Sequence, residues 1–364
     1  MVLPLPAQGH VMPLLELSHC LVEHGFEVAF VNTDYNHARI LVALARGEAG
    51  ATAPPTGGIK LVSFPDSMGP DDDCTNIIKL LEGLPAMMLG TLEETIRSRK
   101  IRWMVDEVSL SFVRDLVPTV GVRVALFSTF SAAIFMLRVY IPKMVEDGII
   151  GEIGNARGNE KIQLSPKMPA IGAAELPRFS LGRVPESRIA MIQSVIKTIP
   201  TLRLTETIVC NTFQEIESGA LALLPILALP IGPLEAPRST PTGGHFGAQE
   251  ETCLPWPDIG EQRVLWHLSV ACFVSQAELN HGNGAARRSI PVVALLRRLV
   301  LEKLHLRLVG TVPLWGTGLR ICADERGVVT MEEIKGKGTV CVSIAEGGSS
   351  HQDLLKLVNL LRED

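Results

Sequence analysis

Short apolar runs that alternate with longer stretches of helical periodicity are what most restrict the fold open to this chain. Behind Gln8-Gly9, residues Val11, Leu14, Leu15, Leu21 and Val22 recur on one helix face, with Pro13 placed in the first turn and Gly25 at the stop. Residues 26–31 then read as a strand, 60–64 as a second, and 102–105 as a third after a helix over about 76–99. Residues 122–127, a helix over 132–145 and, after a long irregular section, residues 207–211 continue the series. Strands that take turns with helices imply α/β architecture: a parallel sheet covered by helices on both faces.

The chain has 364 residues, a length that suits two domains. Pro, Gly, Ser and Thr cluster over 231–260, which divides the chain into a first domain at 1–230, a linker at 231–260, a short second unit at 261–349 and a terminal helix at 350–364. Too few residues follow the linker for a second complete doubly wound domain. At 46% hydrophobic and 20% charged residues the chain is too apolar for a disordered state. A formal charge of −5 gives no general attraction to nucleic acid or to anionic membranes. The most apolar stretch, 221–234, is cut by Pro225, Pro230 and Pro233, so no membrane span is expected. The start carries no basic region ahead of an apolar one, and the seven cysteines form no C-x-x-C pair, which together point to the cytoplasm and to no structural zinc.

Two common chemistries lack their motifs. No G-x-G-x-x-G opens a helix after a strand, against a dinucleotide oxidoreductase, and no G-x-S-x-G elbow occurs, against a serine hydrolase. The basic group Arg287, Arg288, Arg297, Arg298, Lys303 and Arg307 has no interleaved aromatics, so nucleic-acid binding is not expected from it.

Seven runs belong together: Pro6-Ala-Gln-Gly-His10, Phe26-Glu-Val-Ala-Phe-Val-Asn32, Asn211-Thr-Phe-Gln-Glu-Ile-Glu217, Gly232-Pro-Leu234, Val264-Leu265 with His267, Trp315-Gly-Thr-Gly-Leu319 and Gly347-Gly-Ser-Ser-His-Gln-Asp353. In them the chain resembles the plant-type family of UDP-dependent glycosyltransferases. The resemblance implies a GT-B fold of two Rossmann-like domains, the second incomplete here. It also implies transfer of a sugar, glucose first among them, from UDP-sugar to a small lipophilic acceptor by a monomer that needs no metal and no cofactor beyond that co-substrate.

In that family the histidine after Ala-Gln-Gly is the general base, and His10 occupies its place. The base needs a carboxylate partner. Counted from Trp103 the family's aspartate falls on Glu107, with Asp106 one residue early; neighbours on a strand face opposite ways, so only one of the two can face His10, and Glu107 is preferred. The stretches 127–133 and 66–73 fall where the family lines its acceptor cleft.

The donor signature departs from the pattern. The family's run begins Trp-Ala-Pro-Gln and continues through His-Cys-Gly-Trp-Asn-Ser to Asp-Gln. Counting places its first tryptophan on Asp258, its glutamine on Glu261, its phosphate-binding histidine on Gln276, directly after Ser275, and its second tryptophan on Leu279. His267 and Asn280 coincide, so His267, Ser275, Gln276 and Asn280 are the nucleotide-sugar candidates. The chain also passes from linker to signature without the family's opening donor-domain strands and helices.

The genetic code adds a reason. Read one base on, codons for residues 277–283 permit Asn-Ser-Thr-Met-Glu and those for 293–298 permit Trp-Pro-Tyr-Phe-Ala-Asp, both family text. Residues 276 to about 314 are therefore read as an out-of-frame translation, the product of a truncated, decayed gene, and 276–313 are expected to pack poorly or to be disordered. The first strand has only residues 2–5, interrupted by Pro4, to fill the centre of its sheet.

Overall fold

The computed structural model describes residues 1–6, 8–34, 36–38, 58–65, 77–155, 157–168, 170–172, 185–212, 214–232, 234 and 347–363, and three strands at 273–275, 292–296 and 318–322. Its main sheet has seven strands: β1 (Val2–Leu3), β2 (Val28–Thr33), β3 (Ile59–Phe64), β4 (Trp103–Glu107), β5 (Arg123–Ser128), β8 (Thr207–Cys210) and β9 (Ala228–Pro230). All pairs in it are parallel and the order is β3-β2-β1-β4-β5-β8-β9. A two-stranded antiparallel ribbon, β6 (Lys161–Ile162) with β7 (Ile171–Gly172), lies apart from it.

The strand order reverses at β1, which pairs with β2 on one side and β4 on the other. Connections leaving β1 and β4 run in opposite directions from that point and open a crevice at the strands' carboxyl ends. Short as it is, β1 is central: Val2 sits opposite Phe30 and Val105, Leu3 opposite Asp106, and the Met1 amine donates to the Trp103 carbonyl at 2.8 Å. Pro4 has no N–H to extend the ladder, so pairing stops there.

The helices cover both faces, as the alternation predicts. Helix α1 (Gln8–Glu23) buries Val11, Leu14, Leu17 and Leu21 against Val2, Phe30, Val105 and Phe127. Helix α2 (Ile77–Ser98) buries Leu84, Met88, Leu92 and Ile96 on the opposite face, against Leu3, Val31, Met104 and Val124. Odd-numbered residues of β4 thus point to α1 and even-numbered ones to α2, the two-residue period of a strand covered on both sides.

Two helix expectations need correction. α1 begins at Gln8, so Pro13 stands inside the helix and not in its first turn; the carbonyl of Gly9 loses its intrahelical donor there. The helix expected over 132–145 is two, α3 (Ala132–Val139) and α4 (Ile141–Glu146), because Pro142 cannot donate to the carbonyl of Arg138 but fits the first turn of a new helix.

Helix α5 (Pro185–Thr201) precedes β8, and α6 (Gln214–Leu221) joins β8 to β9. The last helix, α7 (Ser349–Arg362), packs Leu357, Val358 and Leu361 into the same core as α1. Ser350 Oγ donates to the Gly232 carbonyl at 2.6 Å, and Arg362 to that of His24 at 2.9 Å. Gly232 is required there: a Cβ would lie 2.4 Å from the Asn211 carbonyl carbon. The stretches 211–212, 232–234 and 349–353, far apart in sequence, meet at this one corner, where Asn211 Oδ1 also accepts from the Leu234 amide.

In the second unit, β10 (Phe273–Ser275), β11 (Val292–Leu296) and β12 (Gly318–Cys322) form a parallel three-stranded sheet. β11 lies within the stretch expected to pack poorly, yet it is paired on both sides; Val292-Val-Ala-Leu-Leu296 is an apolar run with strand propensity whatever its origin. The rest of 276–314, most of the linker, and 66–73 lie outside the described residues.

A buried histidine–glutamate pair at the sheet switch point

Three carboxyl-end segments converge where the strand order reverses. His10 is the third residue of α1, directly behind β1; Glu107 is the last residue of β4; Thr129 follows β5. Because Glu107 shares a strand face with Trp103 and Val105, its side chain is directed to the α1 side. His10 Nδ1 and Glu107 Oε1 are 3.1 Å apart, with the glutamate wholly buried and the imidazole 18% exposed.

The surroundings fix both groups. Thr129 Oγ1 lies 3.1 Å from His10 Nδ1 and donates to Glu107 Oε1 at 3.3 Å, while Glu107 Oε2 accepts from the Ser109 amide at 2.8 Å. Burial pushes the Glu107 carboxyl up, but the charge and hydrogen bond of His10, the Ser109 amide and the nearby Arg138 together hold it below the usual glutamate range. With an ionised carboxylate at Nδ1, the proton of neutral imidazole belongs on that nitrogen, leaving Nε2 as an acceptor. The arrangement is a buried carboxylate, an oriented imidazole and a second nitrogen able to take a proton.

Asp106 turns the other way. Its carboxylate is paired with Arg114, whose guanidinium also donates to Thr201 Oγ1 at 2.8 Å and to the Val108 carbonyl at 3.2 Å; both side chains of the pair are wholly buried. Burial dominates its titration and raises it to about 6, against the opposing charge and hydrogen bond of Arg114. Asp106 therefore has no contact with His10, and the sequence alternative is resolved geometrically in favour of Glu107.

Phe130 meets the His10 ring edge to face, at 5.6 Å between centroids and 81°. Ser131 caps α3 by accepting from the Ile134 amide at 3.2 Å. Glu217 reaches the same helix start from α6, accepting from the Ala132 and Ala133 amides at 2.7 and 3.1 Å. Its burial raises its carboxyl against those hydrogen bonds. Glu217 stood in a recognised run but its task did not; a cap supplied from 85 residues away leaves no local signal. Thr129 was likewise legible only as part of 127–133.

Of the nucleotide-sugar candidates, Ser275 is the last residue of β10, at the carboxyl end of a parallel strand. His267, Gln276 and Asn280 lie outside the described residues. Among the described residues no three His, Cys, Asp or Glu side chains gather as a metal site would need, and no helix is long and apolar enough to cross a membrane.

Comparison with known proteins gives the following. No family model matches the chain. UDP-glycosyltransferase 83A1 of Arabidopsis thaliana is 31% identical over 99% of this chain and 96% of its own length. That alignment runs over 454 positions against a chain of 364, so at least 90 positions, the difference, have no counterpart here. A 7-deoxyloganetin glucosyltransferase of Gardenia jasminoides is 28% identical over 70% of this chain, which spans 57% of that relative. In fold the chain is similar to Phytolacca americana UGT2, solved complexed with UDP-2fluoro-glucose and pterostilbene: TM-score 0.72 and 16% identity, over 100% of this chain and 99% of that one. Os79 from O. sativa in complex with UDP gives 0.66 at 17% identity, with 99% of each chain covered.

Proposed function

That this chain belongs to the UDP-glycosyltransferase family, and has its GT-B fold, is the premise from which we propose inverting transfer of glucose from UDP-glucose to a hydroxyl of a small lipophilic acceptor. The observation that carries the reading is the 3.1 Å contact of His10 Nδ1 with the buried Glu107 carboxylate. His10 Nε2 takes the acceptor's hydroxyl proton as that oxygen attacks the anomeric carbon. The new C–O bond forms as the bond to the diphosphate breaks, the electron pair leaves with UDP, and configuration inverts in one displacement. Glu107 holds the imidazole and offsets the charge it acquires; Thr129 fixes both. The resident co-substrate is the UDP-sugar alone, and the chain acts as a cytoplasmic monomer.

On the donor side His267, Ser275, Gln276 and Asn280 stand at the nucleotide-sugar positions. Here a second reading has its own support: Gln276 replaces the phosphate-binding histidine, and at least 90 positions of the Arabidopsis relative have no counterpart. On that reading the second domain is truncated, the gene is decayed, and the first domain binds a small apolar ligand without transferring a sugar to it.

Thermal unfolding with and without excess UDP separates the two. Ligand at about 100 times its dissociation constant stabilises the fold by about 2.7 kcal/mol. A cooperative transition that moves with UDP supports transfer; one that stays in place supports the inactive remnant.

A further inference from the structure

Helix α3 starts with one cap more than a short helix needs. Ser131 is its local cap, accepting from the Ile134 amide at 3.2 Å. Glu217 supplies a second from α6, accepting from the Ala132 and Ala133 amides at 2.7 and 3.1 Å. The second cap is the costly one. Glu217 is 4% exposed, it has no ion pair among the described residues, and its burial pushes the carboxyl up against those hydrogen bonds. The backbone of α6 also leaves helical angles at this residue, with φ −127° and ψ 21°. Capping a helix stabilises a fold only modestly, whereas taking a carboxylate out of water with no cation beside it carries a large penalty. Stability by itself gives little reason for a glutamate here.

What the second cap holds is the turn 129–131, directly ahead of the helix. Thr129 Oγ1 lies 3.1 Å from His10 Nδ1 and donates to Glu107 at 3.3 Å, and Phe130 meets the imidazole edge to face with centroids 5.6 Å apart. Upstream of the turn, the Ser128 carbonyl accepts from the Asn211 amide at 3.3 Å, and Ser128 Oγ donates to the Phe130 carbonyl at 3.1 Å. Downstream of it stands Glu217. Asn211 follows β8 directly and α6 comes next in the chain, so the one connection behind β8 grips the turn at both ends. Loss of the Glu217 carboxylate leaves the first turn of α3 with Ser131 as its cap, a residue of the same segment that cannot tie it to β8. A base has to stand within hydrogen-bond reach of the proton it takes, and a displacement of about 1 Å is enough to spoil that.

Resting on the reading of His10 as the base, we propose that Glu217 is a positioning residue for it. Tied to the start of α3, Glu217 keeps Thr129 and Phe130 against the imidazole, and so keeps Nε2 directed at the acceptor's hydroxyl. It acts through the turn.

The test is nitrogen and ring-proton NMR of His10 in the full chain at about pH 8, above the ordinary histidine range, with its signals assigned from their loss in His10→Asn. Phe130→Leu supplies the His10 ring-proton shifts in the absence of the aromatic neighbour. In the wild-type protein the Nδ1–H tautomer is expected to exceed the other by about tenfold, given the charged acceptor beside that nitrogen. Glu217→Leu, shown to be folded by its cooperative melt, moves the His10 ring-proton shifts at least halfway to those of Phe130→Leu and lowers the tautomer excess to about twofold. Glu217→Gln, which keeps one oxygen for an amide, recovers part of both. Glu217→Asp, one methylene shorter, takes the place of the leucine variant if that one melts without cooperativity. Shifts and tautomer that stay at wild-type values in the folded variant reduce Glu217 to a structural cap and overturn the inference, with the reading of His10 left standing. A wild-type His10 without the Nδ1–H excess overturns that reading, and this inference with it.

Discussion

Two carboxylates lie side by side at the end of β4, both wholly withdrawn from water, and their surroundings pull them in opposite directions. Asp106 is raised to about 6 and Glu107 is held below the ordinary range. Burial acts on both alike; the partners differ. Asp106 Oδ2 has Arg114, while its Oδ1 has no hydrogen-bond partner among the described residues. Both Glu107 oxygens are engaged, by His10 and Thr129 on one side and the Ser109 amide on the other. The comparison teaches that a one-residue step along a doubly covered strand is enough to separate a carboxylate paired with a buried guanidinium from one held against an imidazole.

The largest effect is expected from breaking the fastening pair. Arg114→Met or Asp106→Leu alone leaves a buried charge unpaired and costs about 3–5 kcal/mol, whereas the double variant recovers most of that loss. Urea unfolding of the three variants measures it. A double variant no more stable than either single one would show that the pair is not the unit that matters.

The pair also has a sign in pH. Asp106 titrates higher folded, about 6, than its ordinary 3.8, so its contribution is complete below 3.8 and is lost as pH rises through about 6. Wild-type stability should fall across that window by no more than about 3 kcal/mol relative to the double variant. Glu107 works in reverse: its contribution is present above the ordinary glutamate value of 4.5 and is lost as pH falls through its lower folded value. Urea midpoints of the wild type and Glu107→Gln on either side of these windows separate the two carboxylates.

Glu107→Gln itself is expected to lower transfer from UDP-glucose by about 10²-fold and to shift the His10 tautomer away from Nδ1–H, read by nitrogen NMR. Unchanged turnover and tautomer would remove Glu107 from the chemistry. The smallest change is that of Thr129→Val, which deletes one hydroxyl between the two partners and costs about 1 kcal/mol in stability, measured by the same unfolding curves.

Much of the first domain was legible because it rests on local periodicity. The strands at 28–33, 59–64, 103–107, 123–128 and 207–210 fall within a residue or two of their expected places, as does α2. What failed was local too: Pro13 and Pro142 shifted or divided helices whose apolar spacing read as continuous. At the site, His10 and Glu107 were named through the family resemblance, from the Ala-Gln-Gly run ahead of His10 and the count from Trp103. Arg114, which pairs with Asp106, and Thr201, which accepts from Arg114, carried no signal, since each is an ordinary residue until the fold brings them together.

The sequence by itself determined the parallel α/β sheet, the placing of a histidine behind its first strand, and the fact that Asp106 and Glu107 must face opposite ways, because periods of 3.6 and 2 are properties of the chain. Which carboxylate meets the imidazole was decided by the tertiary structure. Only the packing of α1 on one face of β4 and of α2 and Arg114 on the other gives those faces different neighbours. The same holds for the corner where Ser350 meets Gly232, and for the ring of Phe130 against His10: contacts across 118 or more residues depend on the whole sheet closing, and no local rule of spacing contains them.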